Sequence, residues 1–160
     1  MGGGISCRPP TADRRLRFIM DIQLLRADVN SLKVDAIVAP SDPQAMEAGR
    51  AVVVTGGNLL ARFIIHVRVP NADEEDADAK LTAATRLAVE RAEELAVASV
   101  GLPAIATGPF GFTSERCARA MLPALVDHRA RARSLQRAVF CLFGQQEYAA
   151  FERVLGELQP

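Results

Sequence analysis

One segment of the chain has the residue types and the spacing of a phosphate-binding loop. Residues 106–112 (ATGPFGF) follow an apolar run, and Thr113 or Ser114 can cap a helix that begins at Glu115. A glycine-bearing loop between a strand and a helix can turn its backbone N–H groups toward an anion at the positive end of the helix. An ordinary strand-to-helix turn is the alternative interpretation, and the loop residues alone leave both open.

Other side chains with reactive groups have structural interpretations. His66 lies in an apolar strand pattern, and we interpret it as a core residue rather than a catalyst. The acidic run 71–78 could bind a cation, but it lacks the glycine of a calcium loop, and its last acids suit the N-terminus of the next helix. Cys7, Cys117 and Cys141 are odd in number and have no Cys-x-x-Cys spacing, which predicts reduced thiols and no metal or cofactor.

The elements that must position the loop alternate along the chain. Apolar, β-branched runs predict strands over 18–25, 34–39, 51–54, 62–69, 99–106 and 137–143. Helical periodicity predicts helices over 81–97, from Glu115 toward Arg131 with Pro123 as a kink or early stop, and over 147–158. The third and fourth strands predict a hairpin, and the later strands predict parallel pairs. The order therefore predicts an α/β fold, a three-layer α/β/α sandwich with a mixed central sheet.

Length and charge define the class of protein. The chain has 160 residues, of which 49% are hydrophobic, and 19 basic residues balance 19 acidic ones. We predict a disordered tail over residues 1–16 and one domain over 17–160. The neutral balance gives no basic face for nucleic acid, and no apolar run is long enough to cross a bilayer, so we expect a cytoplasmic protein. The first six residues fit an N-myristoylation pattern, which we interpret instead as a leader.

Five segments resemble, in order, the motifs of the macro domain family. Three of them lie in the first half: Ala27-Asp28-Val29 is similar to the family's Gly-Asp-Ile, residues 34–38 to its Val-Asp-Ala-Ile-Val strand, and residues 57–66 to its Gly-Asn-Leu-Pro-Ala-Arg-Tyr-Val-Ile-His run. Two lie in the second half: the strand with Pro103 is similar to Phe-Pro-x-Ile-Ser, and the loop 107–112 to the family's second phosphate loop. The resemblance extends from about Asp21 to the C-terminus.

This resemblance implies an ADP-ribose-binding module and gives roles to particular positions. Asp28 would accept a hydrogen bond from the adenine amino group, Val29 would add a backbone N–H, and Phe143 would pack on the adenine face. The loop would hold the diphosphate and the distal ribose, with an aromatic residue as the wall at that end. The predicted loop residues are Thr107, Gly108, Pro109, Phe110, Gly111 and, as the wall, Phe112. ADP-ribose or a related adenine nucleotide is the implied ligand, and an ADP-ribosylated protein is a further implied partner.

The chain departs from the family pattern at the other end of the ligand. Ala39-Pro40-Ser41-Asp42 stands where the family has Asn-Ala-Ala-Asn, so both asparagines are missing. The glycine-rich loop and helix that should follow are also missing, because the sequence passes directly from Pro43-Gln44-Ala45-Met46 to the next strand. Pro109 occupies a position whose N–H would point at phosphate, and proline has no N–H.

Three hypotheses of function follow. The first is a weak, non-catalytic binder of ADP-ribose or an adenine nucleotide, with no catalytic residue. The second is an ADP-ribosyl hydrolase, which the missing loop disfavours because that loop would align the attacking water. The third is a scaffold that binds no small molecule and whose uncovered sheet face packs against a partner.

Overall fold

Six strands and three helices form the part of the chain that the computed structural model describes, residues 19–41, 46–47 and 49–159. The predicted tail, with Cys7 and the lipidation pattern, lies outside the described residues. The mixed sheet and its flanking helices confirm the predicted α/β architecture.

The sheet has the strand order β1-β6-β5-β2-β4-β3. Its strands are β1 (Asp21–Leu25), β2 (Ala36–Ser41), β3 (Ala51–Thr55), β4 (Phe63–Arg68), β5 (Ser99–Pro103) and β6 (Arg137–Cys141). Every neighbouring pair is parallel except β3 and β4, which are antiparallel. The predicted hairpin and the predicted parallel pairs are therefore both confirmed.

The helices are α1 (Ala77–Glu94), α2 (Ser114–His128) and α3 (Gln145–Leu158). Thr113 caps α2, because its Oγ1 accepts a hydrogen bond of 3.1 Å from the Arg116 N–H. The predicted early stop at Pro123 is wrong: α2 continues to His128, because the fully buried Leu122 and Leu125 on either side pack into the core. Within the described ranges, no helix has both the length and the hydropathy that a bilayer crossing requires.

The two faces of the sheet are covered differently. Alternate strand residues on one face pack with the three helices in the main core, where Val38, Ile65 and Phe140 are almost completely buried. On the other face a smaller cluster, which includes Ile37 and Val139, packs against loop residues rather than helices. In the described part of the chain, loops thus form the layer opposite the helices.

The edge strand β3 is the least covered part of this second face. Ala51 and Val53 pack against the main core, so the alternation of the strand turns Val52 and Val54 to the other side. These two side chains are 43% and 41% exposed. The segment that leads into β3 is where the sequence lacks the family's loop and helix, and the exposure agrees with that absence.

Candidate functional site

The carboxyl ends of three adjacent parallel strands bring the predicted site segments to one edge of the sheet. Leu25 at the end of β1 pairs with Cys141 at the end of β6, which pairs with Pro103 at the end of β5. The segments that follow these strands contain Asp28, Phe143 and the loop 107–112. In open α/β sheets, ligands bind beyond the carboxyl ends of the strands, so this edge is the candidate site.

Asp28 and Phe143 form the predicted adenine end. The Asp28 Oδ1 accepts a hydrogen bond of 2.9 Å from the Asn30 N–H and so caps a 3₁₀ turn over Val29–Ser31. Burial, and then the charge of Asp28, raise the pKa of the Cys141 thiol at the end of β6 to about 11. The Phe143 side chain is 80% exposed, and its ring is free to stack on a planar ligand.

The predicted phosphate loop is a 3₁₀ turn closed by its own hydrogen bonds. The turn spans Gly108–Phe110, and the Gly111 N–H donates to the Gly108 carbonyl over 3.0 Å. Gly108 has φ +76° and Gly111 has φ +89°, conformations that residues with a side chain rarely adopt. Gly108 can take this positive φ before Pro109 because glycine has no Cβ.

The two aromatic residues of the loop face the protein. The Phe110 carbonyl accepts a hydrogen bond of 2.8 Å from the Ala72 N–H, which ties the loop to the segment before α1. Phe112 is 4% exposed and belongs to the main core, and the Arg116 guanidinium carbon lies 4.5 Å from the centre of its ring. The predicted wall of the site is thus a buried ring at this position, and its contacts are with the core and Arg116.

Glu147 also lies at this edge of the sheet, although the sequence did not predict it as a site residue. Its Oε1 accepts a hydrogen bond of 3.1 Å from the Phe143 N–H. Its Oε2 lies 3.2 Å from the Thr107 hydroxyl oxygen, whose single hydrogen it shares with the Ala104 carbonyl at 2.9 Å. One carboxylate therefore joins the predicted phosphate loop to the predicted adenine end. The sequence signal was an acid in the first turn of α3, after Gly144, which is a common capping pattern but does not indicate a partner 40 residues away.

The other reactive side chains lie outside this edge. His66 pairs with Ala39 in the sheet and is half-buried on the face away from the helices, so it belongs to neither core. Burial raises the pKa of the Cys117 thiol to about 12, which makes it unreactive. Glu74, in the acidic run, pairs with Arg68 and Lys80. Among the described residues, no group of three or more His, Cys, Asp or Glu side chains is arranged to hold a metal ion.

Comparison with known proteins identifies the family. The sequence model described as "Macro domain" matches residues 29–121, which is more than half of the chain. The chain belongs to the macro domain family. Its fold is also that of an Oceanobacillus iheyensis macrodomain solved with ADP, with a TM-score of 0.78, 18% identity, and coverage of 86% of this chain and 90% of that one.

Two relatives with similar sequences are longer than this chain. An uncharacterized protein of Sulfolobus acidocaldarius is 38% identical over 106 residues, which cover 66% of this chain and 57% of that protein. An uncharacterized protein of Mycobacterium tuberculosis is 29% identical over 180 residues, with coverage of 95% and 50%. The chain thus spans about half to three fifths of these relatives. The second alignment is longer than the 160 residues of this chain, so it contains positions that this chain lacks.

Proposed function

We propose that this macro domain binds an adenine nucleotide of the ADP-ribose class by its adenine end, weakly and without turnover. The observation that carries the proposal is that Asp28 and Phe143 follow the ends of the paired strands β1 and β6, which brings a carboxylate acceptor and an exposed aromatic ring to one edge of the sheet. This combination suits adenine, which offers an amino donor and a flat face. The O. iheyensis macrodomain, which shares the fold, was solved with ADP. An ADP-ribosylated protein carries the same adenine group and falls within the same proposal.

Weak binding is expected because the loop at the phosphate end has few free N–H donors. Pro109 has no N–H, and the Gly111 N–H is already bonded to the Gly108 carbonyl. A phosphate at this loop therefore meets fewer free donors than a full cradle of N–H groups would offer. Each lost anchor costs on the order of 1–3 kcal/mol.

The distal ribose would meet even fewer hydrogen-bonding groups than the phosphates. In the sequence, Ala39 and Asp42 stand where the resemblance leads one to expect asparagine side chains. Ala39 has no side-chain hydrogen-bonding group and an aspartate lacks the N–H donors of an amide, so the ribose beyond the second phosphate adds little binding energy. The proposed ligand preference is therefore nearly equal for AMP, ADP and ADP-ribose.

A calorimetric titration with AMP, ADP and ADP-ribose tests this proposal. We expect dissociation constants within about tenfold of one another, because the shared adenosine carries the recognition. The Asp28→Asn variant is the matched control, since it keeps the shape of the side chain and removes its charge, and it should weaken all three ligands together. Tight binding with a strong preference for ADP-ribose over ADP would contradict the proposal.

Absence of turnover needs its own measurement. The proposal of a non-catalytic domain rests on the missing loop, which in hydrolytic family members aligns the reactive centre. Incubation of the protein with an ADP-ribosylated protein, followed by mass spectrometry of the released ADP-ribose, should give the rate of the buffer alone. Release well above that rate would favour the hydrolase hypothesis instead.

The scaffold hypothesis is supported by one observation, the exposure of Val52 and Val54 on the face away from the helices. A domain that binds nothing small would give no heat with any of the three nucleotides. The titration therefore separates the scaffold from the binding module directly.

A further inference from the structure

We propose that Glu147 sets the charge preference of the candidate site, so that the site accepts an uncharged adenine nucleoside about as well as the nucleoside diphosphate. This inference rests on the proposed adenine site and goes beyond it, because it names the ligand class that the site selects. Glu147 acts here as a specificity-determining residue. Its negative charge offsets the binding free energy that a phosphate at the loop would otherwise contribute.

The position of Glu147 follows from its two hydrogen bonds. Thr107 begins the predicted phosphate loop, and its hydroxyl oxygen lies 3.2 Å from one oxygen of the carboxylate and 2.9 Å from the Ala104 carbonyl, which share its single hydrogen. Phe143 carries the exposed ring of the adenine end, and its N–H donates to the other oxygen over 3.1 Å. The carboxylate thus lies between the two groups that a nucleotide would span, on the path from adenine to phosphate.

Two physical effects then act against a phosphate. A phosphate held by the loop would face the like charge of Glu147 at short range, which weakens binding. The carboxylate also accepts the Phe143 N–H and shares the single hydrogen of the Thr107 hydroxyl with the Ala104 carbonyl, so neither donor is free for an anionic ligand. Nearby, the Arg116 guanidinium beneath the loop is paired with Asp78 over 2.6 Å, so its charge is already compensated. A nucleoside has no phosphate and avoids both penalties.

Two substitutions separate charge from shape. Glu147→Gln keeps the length of the side chain and one acceptor oxygen but removes the charge, whereas Glu147→Asp keeps the charge and shortens the reach. Glu152→Gln is the matched control, because Glu152 is an exposed acid on the same helix. Each full-length variant is titrated calorimetrically with adenosine and with ADP, and its thermal unfolding is recorded to show that it is folded.

We expect the wild-type protein to bind adenosine and ADP within about threefold of each other. Glu147→Gln should raise the affinity for ADP by about fivefold to tenfold and leave adenosine within twofold. Glu147→Asp and Glu152→Gln should leave the ratio of the two affinities close to the wild-type value.

The possible failures are distinct. If Glu147→Gln leaves the ratio of ADP to adenosine affinity unchanged while both ligands bind, the role of Glu147 is wrong and the proposed function stands. A rise for both ligands together would also overturn the role, because the effect would then come from a change in the shape of the site. If neither wild type nor any variant binds adenosine or ADP, the proposed function itself fails and the inference fails with it.

Discussion

At the scale of single residues, Asp28 has a structural role beside the one predicted for it in ligand binding. Its Oδ1 accepts the Asn30 N–H and so caps the 3₁₀ turn that begins at Val29. The Ser31 hydroxyl donates to the Asp28 carbonyl over 2.8 Å and strengthens the same turn. A carboxylate has a second oxygen, so one side chain can cap the turn and still accept a hydrogen bond from a ligand.

The two roles of Asp28 can be separated by mutation. Asp28→Ala should reduce the affinity for AMP by at least about tenfold and lower the free energy of unfolding by about 0.5–2 kcal/mol, the usual value of a lost cap. Asp28→Asn should weaken AMP binding but keep most of the stability, because its amide oxygen can still cap the turn. Urea unfolding and calorimetric titration measure the two quantities. Unchanged AMP binding in both variants would show that adenine does not contact this residue.

Pro109 tests whether the loop contacts phosphate at all. It lies at the start of the 3₁₀ turn, where a missing N–H costs the turn little, so Pro109→Val should fold normally. The new N–H adds a donor at the loop, and a charge-assisted hydrogen bond is worth roughly 1.5–3 kcal/mol. The affinity for ADP should therefore rise by about tenfold, as titration calorimetry would detect, whereas adenosine should be unaffected. Equal effects on both ligands would mean that the loop does not touch phosphate.

At the scale of elements, local patterns predicted the strands and helices but not the contacts between them. The run 34–39 predicted β2 because apolar, β-branched residues dominate it. Helix α1 begins at Ala77 rather than Leu81, because the acids before Leu81 favour a helix N-terminus as well as a loop. The contacts of Glu147 and Glu93 could not be predicted from local patterns. Their partners lie about 40 residues away, so only the folded chain brings the groups together.

Glu93 shows how such a contact joins elements. It lies on α1 with its side chain 2% exposed, and its Oε1 accepts a hydrogen bond of 2.7 Å from the Ser134 N–H in the segment before β6. Its Oε2 lies 2.6 Å from the His128 Nε2 at the end of α2 and accepts from the Arg133 N–H over 3.0 Å. Burial alone would raise the pKa of Glu93, but these hydrogen bonds outweigh it and lower the pKa to about 2.

Stability should therefore depend on the charge of Glu93 at acid pH. The folded pKa of about 2 lies below the ordinary 4.5, so the stabilisation is complete above pH 4.5 and is lost as the pH falls toward 2. A difference of this size between the folded and the ordinary pKa corresponds to about 3 kcal/mol in the free energy of unfolding. Glu93→Gln should destabilise the protein by about that amount at neutral pH, and the difference from wild type should shrink between pH 4.5 and 2 in urea unfolding. A difference that does not vary with pH would contradict this account; the exposed Glu94→Gln is the control.

At the scale of the whole molecule, the sheet is asymmetric. Three helices bury one face, and in the described part of the chain the other face has only loops, with the β3 edge exposed. The family's loop and helix between β2 and β3, which the sequence lacks, would belong to the connection that leads into this edge. The exposed valines of β3 lie at this edge, and on the proposed function the same absence would also remove support for the distal ribose.

Paired valine substitutions measure this asymmetry. Val67 on β4 is completely buried among the helices, and Val54 on β3 is 41% exposed on the other side. Val67→Ala should lower the free energy of unfolding by about 2–3 kcal/mol, from two lost methyl groups and the cavity they leave. Val54→Ala removes the same atoms from a surface that already contacts water, so it should cost less than about 1 kcal/mol. Urea unfolding at several protein concentrations measures both. If Val54→Ala lowers the free energy of unfolding as much as Val67→Ala does, another layer covers this face. If the loss caused by Val54→Ala also rises with protein concentration, that layer is a second copy of the chain.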